Sequence, residues 1–468
     1  LEPMHTEVDA LIASDTLSAV CALRSGDLAI GTLGTGVLIV GPDGHLRRRI
    51  GPAEGLPTHT VFGLAEDRDG ALWVTSPSHV ARIAPPGSPR FFDDAAGLVG
   101  QRFVSIASRG DAVAVAGAEG LFISSPEGSP EFRSLAGAPG YMNAVGAMPD
   151  GWLVAGYHGV VQTSGGAFRP AFATLTDAFL LQPAATPNAF LTNAGLAVVL
   201  IQPQGEGFEA RVIAELPDTS TSIAEAAGWI WASTTGRGIF RMPAEGGKAR
   251  AESCNPPGPM GPTWVASFRG HVLAFAPAGA FRWDEAEATF VQLPEFPPGE
   301  VRAIGNERTP GQRWIVLRSP SAGEEEGLLL AGAFSFDGAS RGVWHAADVE
   351  GLDRLVQVSA VHTDTRHRVW LGGETGVLRF APARLPRSRA PARPLLHATI
   401  GPEVKLPADH APIQFEFATV EFGRADALRY QTALGADEEA EWSPPTSAHA
   451  VTFNTLRSGR YVFQVRAL

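Results

Sequence analysis

The stretch GLPTHTVFGLAEDRDGALWVTSPSHVARI, residues 55–83, contains three short apolar runs separated by turn residues. The runs cover residues 61–65, 71–75 and 80–83, and Asp67 to Gly70 form the clearest turn between them. Short runs of Val, Ile, Leu, Phe and Trp that are bounded by Gly, Pro, Asp and Ser are typical of β-strands joined by tight turns. The stretch therefore predicts three consecutive strands.

The turn and the strand that follows it recur along the chain until about residue 380. Nine copies begin at Gly26, Gly70, Gly110, Gly151, Asn188, Gly228, Gly270, Gly311 and His367. Eight intervals cover the 341 residues from the first copy to the last, a mean of about 43 residues. This period suits one four-stranded propeller blade and is too long for a leucine-rich or ankyrin repeat.

The predicted fold is all-β, a single β-propeller of about nine blades. Rings of seven or eight blades, with a weak module packed outside, are the alternatives. A lone blade cannot bury both of its faces, so blades stack radially until the ring closes and no long edge remains. The first fifteen residues are a candidate for a strand that latches the ring.

Composition limits the classes of partner. The chain has 468 residues, of which 44% are hydrophobic, with 53 Gly and 37 Pro, and its net charge is −12. Nucleic acids and anionic lipids are held mainly by clustered basic residues, so neither is expected as a partner. No apolar run reaches 18 residues, so no membrane span is expected within the sequence.

A second domain is predicted after the repeats. Residues 382–394 are rich in Pro and Arg, which favours an extended linker after a propeller domain at residues 1–381. Beyond the linker, residues 413–417, 428–432 and 461–466 alternate between apolar and polar with period two. Residues 395–468 are therefore predicted to form a small Ig-like β-sandwich.

The sequence of both parts resembles one family. Gly55-Leu56-Pro57, Glu66 to Val74 and Val80 to Ile83 resemble the two-component regulator propeller repeat of bacterial sensor proteins. Leu428-Arg429-Tyr430 and Gly459-Arg460-Tyr461 resemble the triple-tyrosine domain that follows such propellers. Together the two similarities cover nearly the whole chain.

The resemblance implies a function. It implies the periplasmic sensor region of a transmembrane receptor, whose membrane helix and histidine kinase or diguanylate cyclase output lie outside this sequence. We expect a small molecule or oligosaccharide to bind on the propeller face and the sandwich to relay the signal, with a homodimer formed through the C-terminal domain. Contact with the membrane is expected only through that helix, and the chain itself is not expected to be an enzyme.

Local patterns that resemble catalytic or metal sites have simpler interpretations. Gly31 to Gly36 has the composition of a phosphate loop, but a strand follows it instead of a helix, so a turn is predicted. Asp67 and Asp69 lack the later acidic ligands of a calcium loop, and they are predicted to bond the amides of their own turn, with Gly70 at positive φ. His362 and His367 do not have a known metal-ligand spacing. No catalytic residue, metal or cofactor is expected.

Four tryptophans occupy equivalent places in the repeat. Trp73, Trp231, Trp314 and Trp370 lie on the second strand of their units. Repetition at one place argues for packing, so these rings are predicted to fill the interfaces between blades.

Ligand-binding residues are predicted where the repeat varies. The segment before the first strand of each unit lies on the propeller face where pockets commonly form. Aromatic rings there stack on a sugar or another flat apolar surface, and arginines clamp carboxylates. The candidate ligand-binding residues in these segments are His59, Gln101, Arg102, Tyr141, Phe179, Trp264 and Arg354.

Two other functions remain open from the sequence. A secreted propeller hydrolase or lyase acting on polysaccharide requires converging carboxylates or a metal site on one face. A scaffold propeller that binds protein requires an extended apolar or charged patch, which linear sequence does not reveal.

Overall fold

The structure is a computed structural model. It describes residues 5–67, 70–84, 88–124, 131–138, 140–164, 166–172, 175–205, 207–246, 248–258, 261–319, 328–382, 394–400, 404–407, 410–419, 429–435 and 441–467. Contacts divide the chain into two compact units, Leu1–Ser88 and Pro89–Leu468. In the described parts, the structure contains no helix that is both long and apolar enough to cross a membrane.

Where the structure describes it, the N-terminal unit contains one α-helix and two antiparallel sheets. Helix α1, Asp9–Ser14, follows Val8, whose buried side chain packs with Ile30 and Leu38. The first sheet has the order β1 Leu17–Ala22, β2 Leu28–Thr32, β3 Val37–Val40 and β4 Leu46–Ile50. A 3-10 turn, Pro52–Glu54, leads to the second sheet of β5 Gly63–Glu66, β6 Leu72–Thr75 and β7 Val80–Ile83. The described part of the first fifteen residues, 5–15, contains helix α1 and no strand, so this part does not form the suggested latching strand and instead packs on the first sheet.

The second unit contains seven four-stranded sheets in its described residues, here called blades 1 to 7. It begins with β8, Arg90–Phe92, and a 3-10 turn, Asp94–Ala96. Blade 1 comprises β9 Ser105–Arg109, β10 Ala112–Gly117, β11 Gly120–Ser124 and β12 Phe132–Ser134. Blade 2 comprises β13 Met142–Met148, β14 Gly151–Gly156, β15 Gly159–Ser164 and β16 Ala167–Phe172. Blade 3 comprises β17 Gln182–Pro183, β18 Phe190–Ala194, β19 Ala197–Gln204 and β20 Gly207–Glu215.

The remaining blades repeat this antiparallel order. Blade 4 comprises β21 Ser220–Ala226, β22 Trp229–Thr234, β23 Gly238–Pro243 and β24 Glu252–Ser253. Blade 5 comprises β25 Trp264–Phe268, β26 His271–Ala276, β27 Gly279–Asp284 and β28 Thr289–Leu293. Blade 6 comprises β29 Glu300–Ile304, β30 Gln312–Ser319, β31 Leu328–Phe336 and β32 Gly342–Ala347. A 3-10 turn, Asp353–Leu355, precedes the strands of blade 7, β33 Val358–Thr363, β34 Val369–Gly373 and β35 Val377–Phe380.

Blade 7 takes its outermost strand from the start of the unit. Strand β8 pairs antiparallel with β35, with Phe92 opposite Val377 and Arg90 opposite Arg379. The side chain of Phe92 is 1% exposed and packs with Phe132 of blade 1 and Trp370 of blade 7. Seven of the nine repeats therefore form the blades of the second unit and two form the sheets of the first, which fits the seven-blade alternative better than a single ring of nine.

Apolar clusters lie between every pair of neighbouring blades, which closes the ring. In order from the interface of blades 1 and 2 to that of blades 7 and 1, representative members are Trp152, Phe190, Ile230, Trp231, Phe334, Trp314 and Trp370. Trp231, Trp314 and Trp370 are all below 10% exposed, which confirms their predicted role between blades. Trp73 is half-buried and donates its indole N–H to Asp67.

The turn that defines the repeat has the same backbone conformation in nearly all copies. Eight of the nine first residues have positive φ: Gly26, Gly70, Gly110, Asn188, Gly228, Gly270, Gly311 and His367. Gly151 is the exception, and a Cβ there would lie 2.0 Å from the carbonyl oxygen of Thr163. The repeat is thus a repeated hairpin that needs either the left-handed conformation or the absence of a side chain.

Two small sheets follow the ring in the described C-terminal residues. One contains β36 Leu395–Ala398, β37 Ile413–Ala418 and β39 Ala450–Phe453, and the other contains β38 Tyr430–Gly435 and β40 Val462–Ala467. Tyr430 is buried and packs with Phe417, and its hydroxyl lies 3.1 Å from the amide nitrogen of Thr419. Most of the predicted linker lies outside the described residues, and the boundaries at 381 and 395 and the Ig-like sandwich stay predictions.

Candidate functional site

The direction of the strands assigns every loop of the ring to one of two faces. In each blade the first strand is innermost, and successive strands alternate in direction. The segments before the first strands and the turns between the second and third strands therefore share one face, here called the upper face. The turns between the first and second strands, and the end of β35, lie on the opposite, lower face.

Three aromatic side chains form a row on the upper face of blades 2 and 3. The ring of Tyr141, before β13, lies 5.5 Å from that of Tyr157, in the turn between β14 and β15. The Tyr157 ring lies 5.3 Å from that of Phe179, before β17, and both contacts are edge-to-face. Tyr157 is 45% exposed, so this aromatic row presents ring surface to solvent. The Arg102 guanidinium lies 6.0 Å from the Tyr141 ring centre, at the outer limit of a cation–π contact.

Two buried asparagines fix the Phe179 end of the row. The Oδ1 atom of Asn193 accepts the amide of Phe179 at 2.9 Å, and its Nδ2 atom donates to the carbonyl of Asp177 at 3.2 Å. The Nδ2 atom of Asn143 donates to the carbonyl of Ala178 at 3.3 Å. Asp177 has φ of 54°, an unusual conformation that these bonds hold in place. Phe179 is therefore set on a preorganised segment.

A cavity of about 480 Å³ runs along the innermost strands. Phe179 and Trp264 both contribute to its wall, so the aromatic row is continuous with the cavity at Phe179. Polar side chains in the wall include Ser105, Asn143 and His362. A volume of this order accommodates a small organic ligand.

The structure brings together only some of the predicted ligand-binding residues. Arg102, Tyr141 and Phe179 belong to one site through Tyr157, and Trp264 joins Phe179 in the cavity wall. Gln101 is exposed, and its carbonyl accepts the amide of Ala118 at 3.4 Å.

The other two candidates lie apart from this site. His59 is exposed and belongs to the N-terminal unit. Arg354 is exposed in blade 7, and its guanidinium lies 3.9 Å above the ring of Phe91. That contact gives Arg354 a structural partner within the chain.

The glycine-rich turn at 31–36 is held by a carboxylate of its own chain. Asp15 Oδ2 accepts the amide of Gly34 at 3.1 Å, and in blade 4 Asp218 Oδ2 accepts the amide of Gly236 at 2.7 Å. Strand β3 begins directly after the first of these turns. The prediction of a turn rather than a phosphate loop is confirmed, because the amide of Gly34 already donates a hydrogen bond to Asp15 and a strand follows the turn.

The Asp of the repeat closes its hairpin turn and binds the Trp of the second strand. Asp67 Oδ1 accepts the amide of Ala71 at 2.9 Å, and Gly70 has φ of 82°, which confirms that part of the prediction. Asp69 lies outside the described residues. Among the residues that the structure describes, no group of three or more His, Cys, Asp or Glu side chains is placed to hold a metal ion.

Asp364 is the buried counterpart of Asp67 in blade 7. It accepts hydrogen bonds from Trp370 Nε1 at 2.9 Å and from Arg368 Nε at 2.7 Å, and its side chain is 1% exposed. Burial by itself raises the pKa of this carboxyl, but the hydrogen bonds from Trp370 and Arg368 outweigh it and hold the pKa below its usual value. Asp364 is therefore an ionised structural acid between two blades.

His362 joins the last blade to the first. Its Nε2 atom lies 2.8 Å from the Oγ atom of Ser108 in blade 1. Burial lowers the pKa of His362 from 6.5 to about 4; Asp364 opposes this shift and Arg308 adds to it. The imidazole of His362 is thus neutral in the folded protein. At any pH at which the same histidine is protonated in the unfolded chain, the folded protein loses stability relative to the unfolded one.

We expect the ring to lose stability as the pH falls from about 6.5 to about 4. In this range the unfolded histidine binds a proton and the folded one does not, so a depressed pKa favours unfolding as acidity rises. The loss is on the order of 3 kcal/mol at the acid end. Urea midpoints measured across this range should show the slope in the wild type and a much flatter profile in His362→Gln. Equal slopes in both proteins would assign the effect to other groups.

Sequence reasoning missed Tyr157 and the two asparagines that support Phe179. It considered only the segments before the first strands, yet the turns between second and third strands lie on the same face. The alternating direction of the strands places these turns on the upper face, and this was the signal by which Tyr157 could have been predicted. Asn143 and Asn193 lie inside strands that are otherwise apolar, and their partners are carbonyls of a loop whose path the sequence does not specify.

Comparisons with known proteins agree with the repeat and the fold. A comparison with curated protein sequences found no match. The fold is similar to the extracellular domain of a protein assigned as the hybrid two component system BT3049 from B. thetaiotaomicron, with a TM-score of 0.61 at 14% identity. The alignment covers 97% of this chain and 65% of that one, so the chain spans just under two thirds of that domain.

A second similar structure comes from the same organism. It is the extracellular domain of a protein assigned as the one component system BT4673, with a TM-score of 0.45 at 13% identity over 97% of this chain and 66% of that one. Residues 55–78 match the family model described as the two component regulator propeller. The repeat that begins at Gly55 therefore matches the two component regulator propeller repeat that its sequence resembles, and it lies in a chain with an all-β propeller fold.

Proposed function

We propose that this chain is the extracytoplasmic ligand-sensing region of a transmembrane signalling receptor. It binds a small molecule or an oligosaccharide on the upper face of the ring. The C-terminal domain relays the binding event to a membrane helix and to an output domain that belong to the rest of the receptor. The location that follows from this proposal is the periplasm.

The observation that carries the proposal is the aromatic row with its adjoining cavity. Tyr141, Tyr157 and Phe179 offer successive ring edges and faces, and Arg102 adds a cation at one end. Aromatic side chains that are held rigidly give large contact area with a small loss of side-chain entropy. Such a surface suits a ligand with flat apolar faces and polar edges, as a sugar ring has.

The comparisons support the sensor proposal through the repeat. The matched family model is named for two component regulators, and a similar fold serves as the extracellular domain of a protein assigned to a hybrid two component system. At 14% identity the second similarity concerns the fold alone. The proposal for the whole receptor therefore depends on the aromatic row and the repeat, and the fold similarity adds no statement of activity or partner.

Signalling requires a second arrangement of domains or protomers. A ligand shifts an equilibrium only by its difference in affinity for two states. We propose a homodimer through the C-terminal domain as the unit that changes arrangement. Sedimentation velocity with and without ligand tests this part, and a sedimentation coefficient that stays monomeric under both conditions would contradict it.

Replacing Tyr157 with alanine is expected to weaken ligand binding at least about tenfold. The ring lies at the centre of the row, so its loss removes contacts on both sides. Screening glycans and metabolites by thermal shift on the wild type identifies the ligand, and titration calorimetry then compares the variants. The unfolding temperature without ligand should change little, because the side chain is 45% exposed.

Tyr157→Phe is the matched control. It keeps the ring and removes the hydroxyl, so it should retain most of the affinity if stacking carries binding. Equal affinity of the wild type and Tyr157→Ala for the ligand would mean that the ligand does not bind at the aromatic row. Release of a cleaved product from a bound glycan would favour a hydrolase or lyase over a sensor.

A further inference from the structure

The lower face of blades 6 and 7 contains a second pocket, of about 430 Å³. Its wall includes Arg308 from the turn after β29, and Arg366 and His367 from the turn after β33. It also includes Trp314 at the start of β30 and Pro382 beyond the end of β35. This lower pocket is on the opposite face of the ring from the aromatic row.

The ionisable side chains around the lower pocket are all potential cations. Among the residues that the structure describes, no carboxylate contributes to its wall. The chain as a whole has a net charge of −12, so this local excess of positive charge departs from the average surface. Cations gathered around one pocket repel each other, and a bound anion relieves that repulsion.

Arg308 is available to a ligand. Its side chain is exposed, and in the described part of the chain its guanidinium makes no hydrogen bond or ion pair. The neighbouring acid, Glu307, already has partners, because its Oε1 atom accepts hydrogen bonds from the amides of Arg269 in blade 5 at 2.9 Å and of Gly311 in its own turn at 2.5 Å. Arg308 lies close enough to His362 for its charge to add to the lowering of the pKa of that histidine.

Arg366 forms a solvent-exposed ion pair with Asp111, and this pair is weak. Its Nη2 atom lies 2.6 Å from Asp111 Oδ2, and both side chains are more than half exposed. An exposed pair of this kind contributes little to stability and exchanges readily with another anion. Trp314, which packs on the ring of Phe380, and Pro382 provide an apolar wall beside the two arginines.

We propose that the lower pocket binds a small oxyanion, either sulfate or the carboxylate of a sugar acid, through the guanidinium groups of Arg308 and Arg366. The planar guanidinium matches two oxygens of such a group and binds them in a bidentate manner. This site is separate from the proposed sensing site and does not depend on it. It lies beside Ala381 and Pro382, where the chain leaves the ring.

Calorimetric titration of the full chain with sodium sulfate, sodium glucuronate and glucose, at constant ionic strength in chloride, tests the proposal. We expect saturable binding of an anion at one site that Arg308→Gln weakens at least about tenfold, with a smaller loss in Arg366→Gln. Arg308→Lys keeps the positive charge but loses the planar, bidentate guanidinium, so its affinity for the anion should lie between those of the wild type and Arg308→Gln. Tighter binding of glucuronate identifies a sugar acid, whereas binding of sulfate alone identifies an inorganic anion.

Arg169→Gln is the matched control, since Arg169 is an exposed arginine on β16 of blade 2. Its affinity for both anions should equal that of the wild type. An Arg308→Gln protein that binds as tightly as the wild type overturns the proposal. So does an equal loss in Arg169→Gln, or the absence of saturable binding for both anions. The unfolding midpoint of Arg308→Gln without anion should stay at the wild-type value, which separates lost binding from lost folding.

Discussion

Phe92→Ala is expected to lower the free energy of unfolding of the ring by about 3–5 kcal/mol. The Phe92 ring is fully buried between Phe132 and Trp370, with centroids 5.5 Å and 5.6 Å away. Strand β8 has only three residues, so this ring is the main apolar anchor that holds it in blade 7. Losing the anchor leaves a cavity and weakens the closure of the ring at the same time. Urea unfolding followed by tryptophan fluorescence measures the loss.

Phe91→Ala provides the control on the same strand. Phe91 is half-buried on the opposite side of β8, beneath the guanidinium of Arg354. We expect its loss to cost about 1 kcal/mol, the usual size for a partly exposed contact. Limited proteolysis should also cleave near residue 90 earlier in Phe92→Ala than in Phe91→Ala. Similar unfolding midpoints for the two variants would mean that β8 does not hold the ring closed.

Asp364→Ala is expected to cost about 3–5 kcal/mol, the range for breaking a buried ion pair. The substitution removes the acceptor for the Trp370 indole N–H, for Arg368 and for the backbone amides of Arg366 and Arg368, the last two at 2.9 Å. It leaves a cation and an indole donor without partners at the interface of blades 7 and 1. Differential scanning calorimetry at pH 7 measures the change.

Asp67→Ala tests the same turn where it is less buried. The Asp67 carboxylate accepts hydrogen bonds from Trp73 Nε1 at 3.0 Å and from Arg82 Nε at 3.2 Å, but its side chain is 21% exposed. Water replaces part of what the carboxylate provides, so the expected cost is about 1–2 kcal/mol. Equal costs for the two alanine variants would show that burial does not determine the strength of this turn.

The repeat predicted the strands, the turns and the tryptophans because each depends on neighbours in sequence. Gly70, Asp67 and Trp231 occupy the places that the pattern assigns to them. The number of blades in the ring was not predictable in this way. It depends on where Arg90–Phe92 pairs, and a three-residue strand carries no local signal for its distant partner β35.

The candidate site was predictable in part. Tyr141 and Phe179 were proposed because they precede first strands, and the structure places both in one row. Their connection through Tyr157 depends on the edge-to-face contacts of three rings from separate loops. His59 and Arg354 fit the same sequence rule, yet one belongs to the N-terminal unit and the other rests on Phe91. Position in a repeat specifies the face, while the sector of the ring follows from tertiary packing.

The pairing of β8 with β35 has a mechanical consequence. Because the strands are antiparallel, Arg90 at the start of one lies opposite Arg379 near the end of the other. The chain therefore arrives at the ring and leaves it at the same end of one short ladder. Tension between the segments before residue 90 and after residue 380 would peel this ladder apart one bond at a time, as a zipper opens. A force applied to these two segments would act on blade 7 alone, and the other six blades would bear no force until β8 had separated from β35.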